Sequence, residues 1–471
     1  MTQQPASDFA PFEQRMRAEQ LPQIVIDNLR YYYDQLVAGA QGFIPEEAIE
    51  PIDSVTDIAD LAGYAEAGQA ALGRAAMLKL NGGLGTSMGL ERAKSLLPVR
   101  EGLNFLDLIA RQNLALRARY GSRVPLLLMN SFSTDADSRA VLDAYPQLAG
   151  DLPLTVMQHK IPKVDRASLA PAEWAENQAL EWCPPGHGEV YVVLRTSGAL
   201  DALLERGYEF LFISNVDNLG ATLDLGILGY LAQREVPFLM EVAHRTEADK
   251  KGGHIARQKN GQLVLREVAQ CPEADLDQFQ DIRRHRFFNT NNIWVNLRAL
   301  SRLLDEHGNV LKLPMIRNVK TVDPKDSSSP EVVQLETAMG AAIGVFPGAE
   351  VLSVGRDRFL PVKTCADLLG VRSDIYTLDD AGVLRMRPER RLGPIAVALD
   401  QRYYKQIDDF EARFPDGPPS LIDCARLQVE GDLRFEAGVV LRGAVQIVHA
   451  GNGQGRVPAG TLIADTRREF A

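Results

Sequence analysis

The middle of the chain alternates short apolar runs with longer segments in which apolar residues recur every three or four positions. The short runs predict buried strands, and the periodic segments predict helices. Strands and helices that alternate in this way are typical of parallel βαβ units, which build a doubly wound sheet covered on both faces. The predicted strands are AAMLKLNGG, VPLLLMNS, LPLTVMQHK, YEFLFISNVDN and VPFLMEVAH, and the predicted helices are NFLDLIARQNLALRARYG, TDADSRAVLDAYPQL and DLGILGYLAQRE.

The two ends of the chain depart from this alternation. From about Phe12 to Val37 apolar residues recur at mixed three- and four-residue spacings, which predicts helical structure, and a Pro- and Gly-bearing loop follows it. From about Leu421 short apolar pieces are separated by Gly-bearing turns, which predicts a β-solenoid or a small β-sandwich. The predicted organisation is a helical N-terminal arm (residues 1–60), a doubly wound central domain (61–395) and a C-terminal β-helix-like domain (396–471).

Composition narrows the function classes. The net charge is −11, which argues against a nucleic-acid binder but not against a small anionic ligand held by a few local cations. The four cysteines are widely spaced without a CxxC pair, so we expect reduced, mostly buried thiols rather than disulfides or a zinc site. No apolar run approaches 18 residues and the N-terminus lacks an apolar leader, so we expect a cytoplasmic protein that does not enter a membrane.

Polar residues end the predicted strands. In an open parallel sheet the ligand binds beyond the carboxyl ends of the strands. The residues that end these strands are Asn81–Gly83, Asn130, Gln158 and Asn215–Asn218. The sequence therefore predicts a ligand site at this edge of the sheet.

The stretch from Leu80 to Lys94 is a candidate phosphate-binding loop, in which a strand (MLKL) leads through NGGLGTSMG into a predicted helix. Four glycines, at positions 82, 83, 85 and 89, allow close backbone approach to a ligand and let successive N–H groups point toward an anion. The loop fits neither a P-loop nor the GxGxxG dinucleotide fingerprint. A tight turn without a ligand is the alternative, but the glycines together with Arg92 and Lys94 favour phosphate.

This loop, LNGGLGTSMG followed by a lysine, closely resembles the signature loop of the eukaryotic-type UDP-glucose pyrophosphorylases. Further blocks resemble the same family in order along the chain, and the resemblance covers roughly residues 75–370, with a loose match in the C-terminal part. The blocks are MQHKIPK (157–163), WCPPGHGEVY (182–191), FISNVDNLGATLD (212–224), KKGGHI (250–255), FFNTNNIWVNL (287–297), VVQLETAMGAAI (332–343) and RFLPVKTCADLL (358–369).

The resemblance implies a nucleotidyltransferase catalytic domain of GT-A/Rossmann-like type. The implied reaction is uridylyl transfer from UTP to glucose 1-phosphate, which yields UDP-glucose and pyrophosphate with Mg²⁺ as cofactor. Gln158 is expected to read the uracil edge, because its amide offers both a donor and an acceptor. The other expected nucleotide-binding residues are Leu80, Asn81, Gly82, Gly83, Gly186 and Asp217. The expected sugar-binding residues are His187, Gly188, Asn215, Gly253, Glu267, Asn289 and Asn291.

Charged residues complete the predicted site. A carboxylate at Asp217 is costly to bury unless it meets a cation or a hydroxyl, and the resemblance implies Mg²⁺, ribose or both, against an Asx-turn cap as the alternative. Lys94 and Lys363 are implied as catalytic residues, since a compact ammonium suits the phosphates of UTP and of the sugar. Many family members carry a CKGPK-like run where this chain has LERAK (90–94), which sets Glu91 and Arg92 beside Lys94.

Three other functions stay open from the sequence. The nearest is the same reaction with another sugar, as in a UDP-N-acetylhexosamine or a broad UDP-sugar pyrophosphorylase. A glycosyltransferase of similar fold would usually carry a DxD-type metal motif, which Asp217–Asn218 does not supply. A catalytically inactive UDP-sugar-binding regulator is disfavoured, because both lysines and Asp217 are present. The C-terminal strands have edges that must be paired or covered, which makes them a candidate surface for a homo-oligomer.

Overall fold

The computed structural model describes residues 8–470, so the first seven residues of the predicted arm and Ala471 lie outside it. At its centre is a mixed sheet whose main path has eight strands. In chain order these are β1 (Thr56–Asp57), β2 (Ala75–Asn81), β3 (Leu126–Asn130), β4 (Thr155–Met157), β5 (Phe210–Asn215), β6 (Phe238–His244), β7 (Phe287–Asn296) and β8 (Glu350–Ser353). Their order across the sheet is β1-β8-β6-β7-β5-β2-β3-β4.

All pairings along this path are parallel except those of β7, which runs antiparallel to both β5 and β6. The predicted mostly parallel sheet is therefore confirmed, and the five predicted strands are β2 to β6. Successive residues of β2 enter different apolar clusters, Met77 one and Leu78 the other, because side chains alternate between the two faces of a strand.

Helices cover both faces. Phe105–Tyr120 and Leu225–Arg234 pack in one cluster, while Val190–Thr196, Ala199–Glu205 and Leu297–Glu306 pack in the other. The predicted helices are present: the longest begins with a capping box between Asn104 and Asp107 and ends at Gly121 in the left-handed conformation. The remaining helices are Ala65–Ala71, Asp135–Leu142, Leu276–Gln280, Cys365–Arg372, Gln401–Tyr404 and Ile407–Arg413.

The N-terminal arm is helical, as predicted, and contains two helices, Ala10–Ala18 and Gln23–Val37. Pro22 separates them: it has no N–H for a helical hydrogen bond, and it takes the N-cap position of the second helix. The stretch predicted as a loop after the arm also holds strand structure, since Ile49–Pro51 pairs with the strand His254–Gln258.

Short 3₁₀ turns and short strands join these elements. Two turns of 3₁₀ helix, Thr86–Met88 and Lys94–Leu96, follow the glycine-rich loop where the sequence suggested a helix. The short strands are Pro98–Arg100, Leu103–Asn104, Ile161–Pro162, Val164–Asp165, Trp182–Cys183, Leu263–Arg266, Ile316–Thr321, Glu331–Glu336, Tyr376–Leu378 and Leu384–Met386.

The C-terminal strands are stacked in parallel. Ala396–Leu399, Cys424–Glu430, Val440–Val448 and Leu462–Ala464 follow one another across one face, and Arg467–Glu469 also pairs with the third of them. Leu433–Phe435 pairs in parallel with Gly455–Val457 on a second face. Parallel coils of this kind form a solenoid rather than an antiparallel sandwich, so the β-helix-like prediction is confirmed. The predicted domain boundaries stay a prediction.

All four cysteines are buried and unpaired, as predicted. Among residues 8–470, none of the helices has the length and apolar character that a membrane crossing needs.

Candidate active site

The predicted site residues gather at one edge of the central sheet. The parallel strands β2 to β6 all end at this edge, and β7 begins there because it runs the opposite way. Polar residues at strand ends and Asn289 near the start of β7 therefore face a common opening.

The glycine-rich loop lies against Gln158. The Gln158 backbone N–H donates to the Asn130 carbonyl at 2.7 Å, and its side-chain amide donates to the Gly186 carbonyl at 2.9 Å. A Cβ at Gly82 would lie 2.8 Å from Gln158 Oε1, so only glycine lets this backbone approach the amide so closely. Gln158, the predicted uracil-binding residue, therefore forms one continuous surface with two of the predicted nucleotide-binding glycines, Gly82 and Gly186.

The side chains of Leu80 and Asn81, the two residues before Gly82, are buried in the protein. Leu80 is buried, and its carbonyl accepts a hydrogen bond from the Val216 backbone at 3.1 Å. The Asn81 amide is also buried and donates to the Asn130 and Ser138 side chains, at 2.7 Å each. These residues hold the base of the loop, while Gly83 has open space around its Cα.

The loop that carries His187 packs against Thr337. The Gly188 backbone donates to the Thr337 carbonyl at 2.8 Å, and a Cβ at Gly188 would lie 2.4 Å from the Thr337 hydroxyl. Gly186 has a φ of +83°, and a Cβ there would lie 2.5 Å from the Thr337 carbonyl oxygen. Close packing therefore requires both glycines around the histidine.

His187 is a hydrogen-bond acceptor in this structure. Its Nδ1 accepts from the Met339 backbone N–H at 3.1 Å, which requires a ring nitrogen without a proton. Burial, followed by the positive charge of Lys363, lowers the pKa of His187 to about 4. The ring is therefore neutral near pH 7.

Four of the predicted sugar-binding residues lie together: Gly253, Glu267, Asn289 and Asn291. A Cβ at Gly253 would lie 2.5 Å from the Glu267 carboxylate, and the Gly253 carbonyl accepts from the Asn289 backbone at 3.0 Å. A register shift between β6 and β7 lets the Asn289 side chain donate to Asn291 Oδ1 at 2.7 Å, with Asn291 at a φ of 58°. Burial raises the pKa of the Glu267 carboxyl, against the opposing charge of Lys363.

Asn215 ends β5, between the neighbouring strands β2 and β7. In the parallel pairing with β2 it lies opposite Leu80. The structure thus sets Asn215 beside the base of the nucleotide loop, and among residues 8–470 no side-chain hydrogen bond joins it to Glu267 or Asn289.

Asp217 forms an ion pair with Lys94, as expected for a carboxylate with so little exposure. Lys94 Nζ lies 2.5 Å from Asp217 Oδ2, and the two side chains are only 13% and 15% exposed. The other carboxylate oxygen, Asp217 Oδ1, is buried without a hydrogen-bond partner. Arg92 instead pairs with Asp137 at 2.8 Å on the surface, so Lys94 is the basic side chain of LERAK that faces the site.

Lys363 lies on the segment that is hydrogen-bonded to the Asp217 loop. Its exposed side chain has no carboxylate within ion-pair distance among residues 8–470, while its charge acts on both His187 and Glu267. The preceding residue, Val362, donates its backbone N–H to the Asp217 carbonyl at 3.1 Å. The Lys363 backbone donates to Asp367 Oδ2 at 2.9 Å, at the N-terminus of Cys365–Arg372.

A buried polar network lies beneath this edge of the sheet, and the sequence analysis did not predict it. Glu241, which is fully buried, binds the Arg358 guanidinium at 2.6 Å and accepts from the Trp294 indole at 2.9 Å. Lys79 donates to Ser214 Oγ at 2.6 Å and to the Ala221 carbonyl at 2.7 Å. Burial lowers the pKa of Lys79 to about 7, and the charge of Arg358 adds to the effect. The available signal was a charged residue inside an apolar strand run, in AAMLKL and in FLMEVAH.

The chain is similar to known uridylyltransferases over most of its length. A profile of the UTP–glucose-1-phosphate uridylyltransferase family matches residues 27–442. The UTP–glucose-1-phosphate uridylyltransferase of Saccharomyces cerevisiae is 43% identical over 394 residues, which covers 83% of this chain and 77% of that one. The Solanum tuberosum protein of the same name is 42% identical over 403 residues, covering 84% and 81%.

Solved structures agree with this similarity. A mutant UDP-glucose pyrophosphorylase from Leishmania major, in complex with UDP-glucose, has a TM-score of 0.93 and 43% identity over 98% of this chain and 99% of that chain. A UDP-glucose phosphorylase from Trypanosoma brucei has a TM-score of 0.91 and 44% identity over the same shares. With a family profile that spans most of its length and relatives above 40% identity, the chain belongs to the UTP–glucose-1-phosphate uridylyltransferase family.

Proposed function

We propose that this chain makes UDP-glucose and pyrophosphate from UTP and glucose 1-phosphate by in-line displacement at the α-phosphorus of UTP, without a covalent enzyme intermediate. The observation that carries the proposal is the position of Lys363, which follows a residue bonded to Asp217: the Val362 N–H donates to the Asp217 carbonyl at 3.1 Å, and Asp217 pairs with Lys94. The charge of Lys363 also acts on His187 and Glu267, two of the predicted sugar-binding residues. Cations placed in this way suit the negative charge that accumulates when one phosphate attacks another.

The reaction needs positioning and positive charge rather than a general base. The attacking phosphate oxygen of glucose 1-phosphate is already an anion, so no proton has to be removed. His187 is suited to this scheme as a neutral binding residue, because its Nδ1 is held by the Met339 N–H. Lys363, Lys94 and the N–H groups of the glycine-rich loop supply the positive charge, and the strand ends hold the two substrates in line.

The residues around Asp217 fit a magnesium ion. Asp217 Oδ1 is buried without a partner, and a carboxylate oxygen is a preferred Mg²⁺ ligand. Among residues 8–470 no group of three or more His, Cys, Asp or Glu side chains could form a metal cage, which suits Mg²⁺ held by one carboxylate and by substrate phosphates. A bound Mg²⁺ would supply charge to the phosphate oxygens. Asp217 remains a candidate for ribose binding as well.

The sugar-binding cluster supports glucose 1-phosphate as the acceptor. Glu267, Asn289 and Asn291 offer a carboxylate and two amides within one small region, and sugar hydroxyls need partners of this kind. We propose a preference for glucose 1-phosphate over sugars with altered or larger substituents, because a site that hydrogen-bonds particular hydroxyls disfavours sugars that lack them.

A substrate panel tests this function. Pyrophosphate release is measured with UTP and Mg²⁺ beside glucose 1-phosphate, galactose 1-phosphate and N-acetylglucosamine 1-phosphate, and the control omits Mg²⁺. The expected result is the highest kcat/KM with glucose 1-phosphate and no release without Mg²⁺. Equal values for the three sugars would indicate a broad UDP-sugar pyrophosphorylase, and UTP binding without release from any of them would indicate a regulator.

A further inference from the structure

Two loops far apart in the chain carry the proposed catalytic groups. One follows β5 and holds Asp217, and the other follows β8 and holds Lys363. Their relative position cannot come from the chain connecting them, so contacts between the loops must set it. Small displacements of reacting groups are costly in enzymes, which makes such contacts important for turnover.

Asn218 is the side chain that joins the two loops. It is 2% exposed, and its Nδ2 donates to the Arg358 carbonyl at 3.1 Å and to Asn292 Oδ1 at 3.2 Å. Its Oδ1 accepts from the Leu360 backbone N–H at 2.9 Å and from that of Gly220 at 3.2 Å. Both donors and both acceptor positions of the amide are thus used, and two of the four bonds go to the backbone that leads into Lys363.

Backbone contacts extend this connection in both directions. Asn218 forms an isolated antiparallel bridge with Pro361, and Val362 donates to the carbonyl of Asp217. On the far side, Arg358 is held by Glu241 and also donates to the Thr222 carbonyl at 2.9 Å. The segment before Lys363 is therefore fixed to the segment after β5, with Asn218 at its centre.

No other residue type matches these contacts. Alanine would leave the Leu360 N–H without its partner, which is costly for a backbone group, and the Arg358 carbonyl would keep only the Asn292 amide at 3.2 Å. Aspartate has the right shape but no donor for Arg358 or Asn292, and it would bring a negative charge into a buried position. The amide is needed because the facing loop presents an acceptor and a donor side by side.

We propose that Asn218 is a positioning residue, which holds the Lys363 loop at a set distance from Asp217 and affects turnover through Lys363. This inference rests on the proposed role of Lys363. It concerns geometry in the transition state, so loss of the amide should lower kcat more than it raises KM for UTP.

A double-mutant cycle tests the inference. The chain and the variants Asn218→Ala, Lys363→Ala and Asn218→Ala/Lys363→Ala are compared by kcat and by KM for UTP. We expect Asn218→Ala to lower kcat by roughly 10- to 100-fold with KM within about threefold, as for a small misplacement of a catalytic group. In the Lys363→Ala background the same change should alter kcat by no more than about twofold, because the group it positions is gone.

Asn113→Ala is the matched control. Asn113 is 1% exposed and donates to a backbone carbonyl, that of Val124, at 3.1 Å, but within residues 8–470 it has no hydrogen bond to either loop. Asn113→Ala should lower the thermal unfolding midpoint, because a buried amide is lost, and should leave kcat within about twofold of the parent. If Asn218→Ala does not fold, Asn218→Ser replaces it in the same cycle.

Two results would overturn the role of Asn218. One is a kcat within about twofold of the parent in the Asn218 variant. The other is an equal loss in both backgrounds, as a general structural defect would give. Near-normal turnover in Lys363→Ala would instead contradict the proposed role of Lys363, and with it the positioning role of Asn218. If the proposed reaction itself is wrong, the parent chain will show no turnover with UTP and glucose 1-phosphate. That result is distinguishable from a failure of the Asn218 role, which appears only in the variants.

Discussion

At the scale of single residues, Lys363 is the side chain on which turnover should depend most. Its removal takes away a cation beside the Asp217 loop but no buried contact, since the side chain is exposed. We expect Lys363→Ala to fold normally and to lose roughly 10²- to 10³-fold in kcat, about 3–4 kcal/mol, by analogy with deletion of one preorganised donor. Steady-state kinetics measure the effect, and Lys259→Ala, at an exposed turn, is the control. Near-normal kcat would contradict the assignment.

His187 should make stability depend on pH. Its pKa is lowered from 6.5 to about 4, so between these values the unfolded chain binds more protons at this position than the folded chain. The free energy of unfolding should therefore fall as pH drops from about 6.5 toward 4, and this contribution is absent above that window. His187→Asn keeps an acceptor for the Met339 N–H and cannot be protonated. The free energy of unfolding of this variant should therefore change less with pH than that of the parent.

Denaturant midpoints at pH 5 and pH 7 measure this difference. His307→Asn changes an exposed histidine and serves as the control, with the pH dependence of the parent. The same slope in the parent and in His187→Asn would show that protonation of His187 does not oppose folding.

At the scale of elements, the glycines around His187 let one loop pack against another. Gly186→Ala adds a methyl group 2.5 Å from the Thr337 carbonyl oxygen at a φ of +83°. Strain in the left-handed region costs about 1–2 kcal/mol, and overpacking adds about 1–3 kcal/mol. We also expect KM for UTP to rise, because the Gly186 carbonyl holds the Gln158 amide.

Gly198→Ala separates strain from packing. Gly198 has a φ of +72° but no atom within 4 Å of a Cβ, so only the strain applies. Chemical denaturation should therefore show a smaller loss for Gly198→Ala, with KM for UTP unchanged. Equal losses of stability in the two variants would mean that the contact with Thr337 relaxes without cost.

At the scale of the whole molecule, one apolar cluster joins the central sheet to the C-terminal strands. It contains Phe212 and Trp294 of the sheet together with Leu427 and Ile447 of the solenoid. Asp374 adds hydrogen bonds to Ser420 and to the Leu421 backbone, at 2.6 and 2.7 Å. Shared burial of this kind couples the unfolding of the two parts.

We therefore expect a single unfolding transition for the chain. All three tryptophans, at 174, 182 and 294, lie before the C-terminal strands, so their fluorescence reports on the central part while far-UV circular dichroism reports on both parts. The two probes should give the same midpoint. Asp374→Ala should lower both midpoints together. A loss of dichroism before the fluorescence change would show that the solenoid unfolds alone.

Self-association through the C-terminal strands and a cytoplasmic location stay predictions. Leu462 is 53% exposed on its strand, and the strand Arg467–Glu469 is exposed throughout. Light scattering of the parent and of Leu462→Glu would test whether this surface forms an oligomer.

Much of the architecture could be predicted because its causes are local. Apolar periodicity set the strands and helices, and polar residues after apolar runs marked the edge where Gln158 and Asp217 lie. The differences have physical reasons as well. Pro22 divides the helical arm into two helices, and the left-handed Gly85 and Gly89 enclose a 3₁₀ turn where a helix is predicted after the nucleotide loop.

By itself, then, the sequence determined the mostly parallel sheet, the C-terminal solenoid and the glycine-rich loop, since these follow from patterns of neighbouring residues. Only the tertiary structure decided that β7 runs antiparallel, that Lys94 rather than Arg92 meets Asp217, and that the Asn81 amide is buried. It also revealed Asn218 as the connection to the Lys363 loop, whose bonded partners lie up to 142 positions away. Contacts over such separations depend on how strands order in the sheet, which no local pattern specifies.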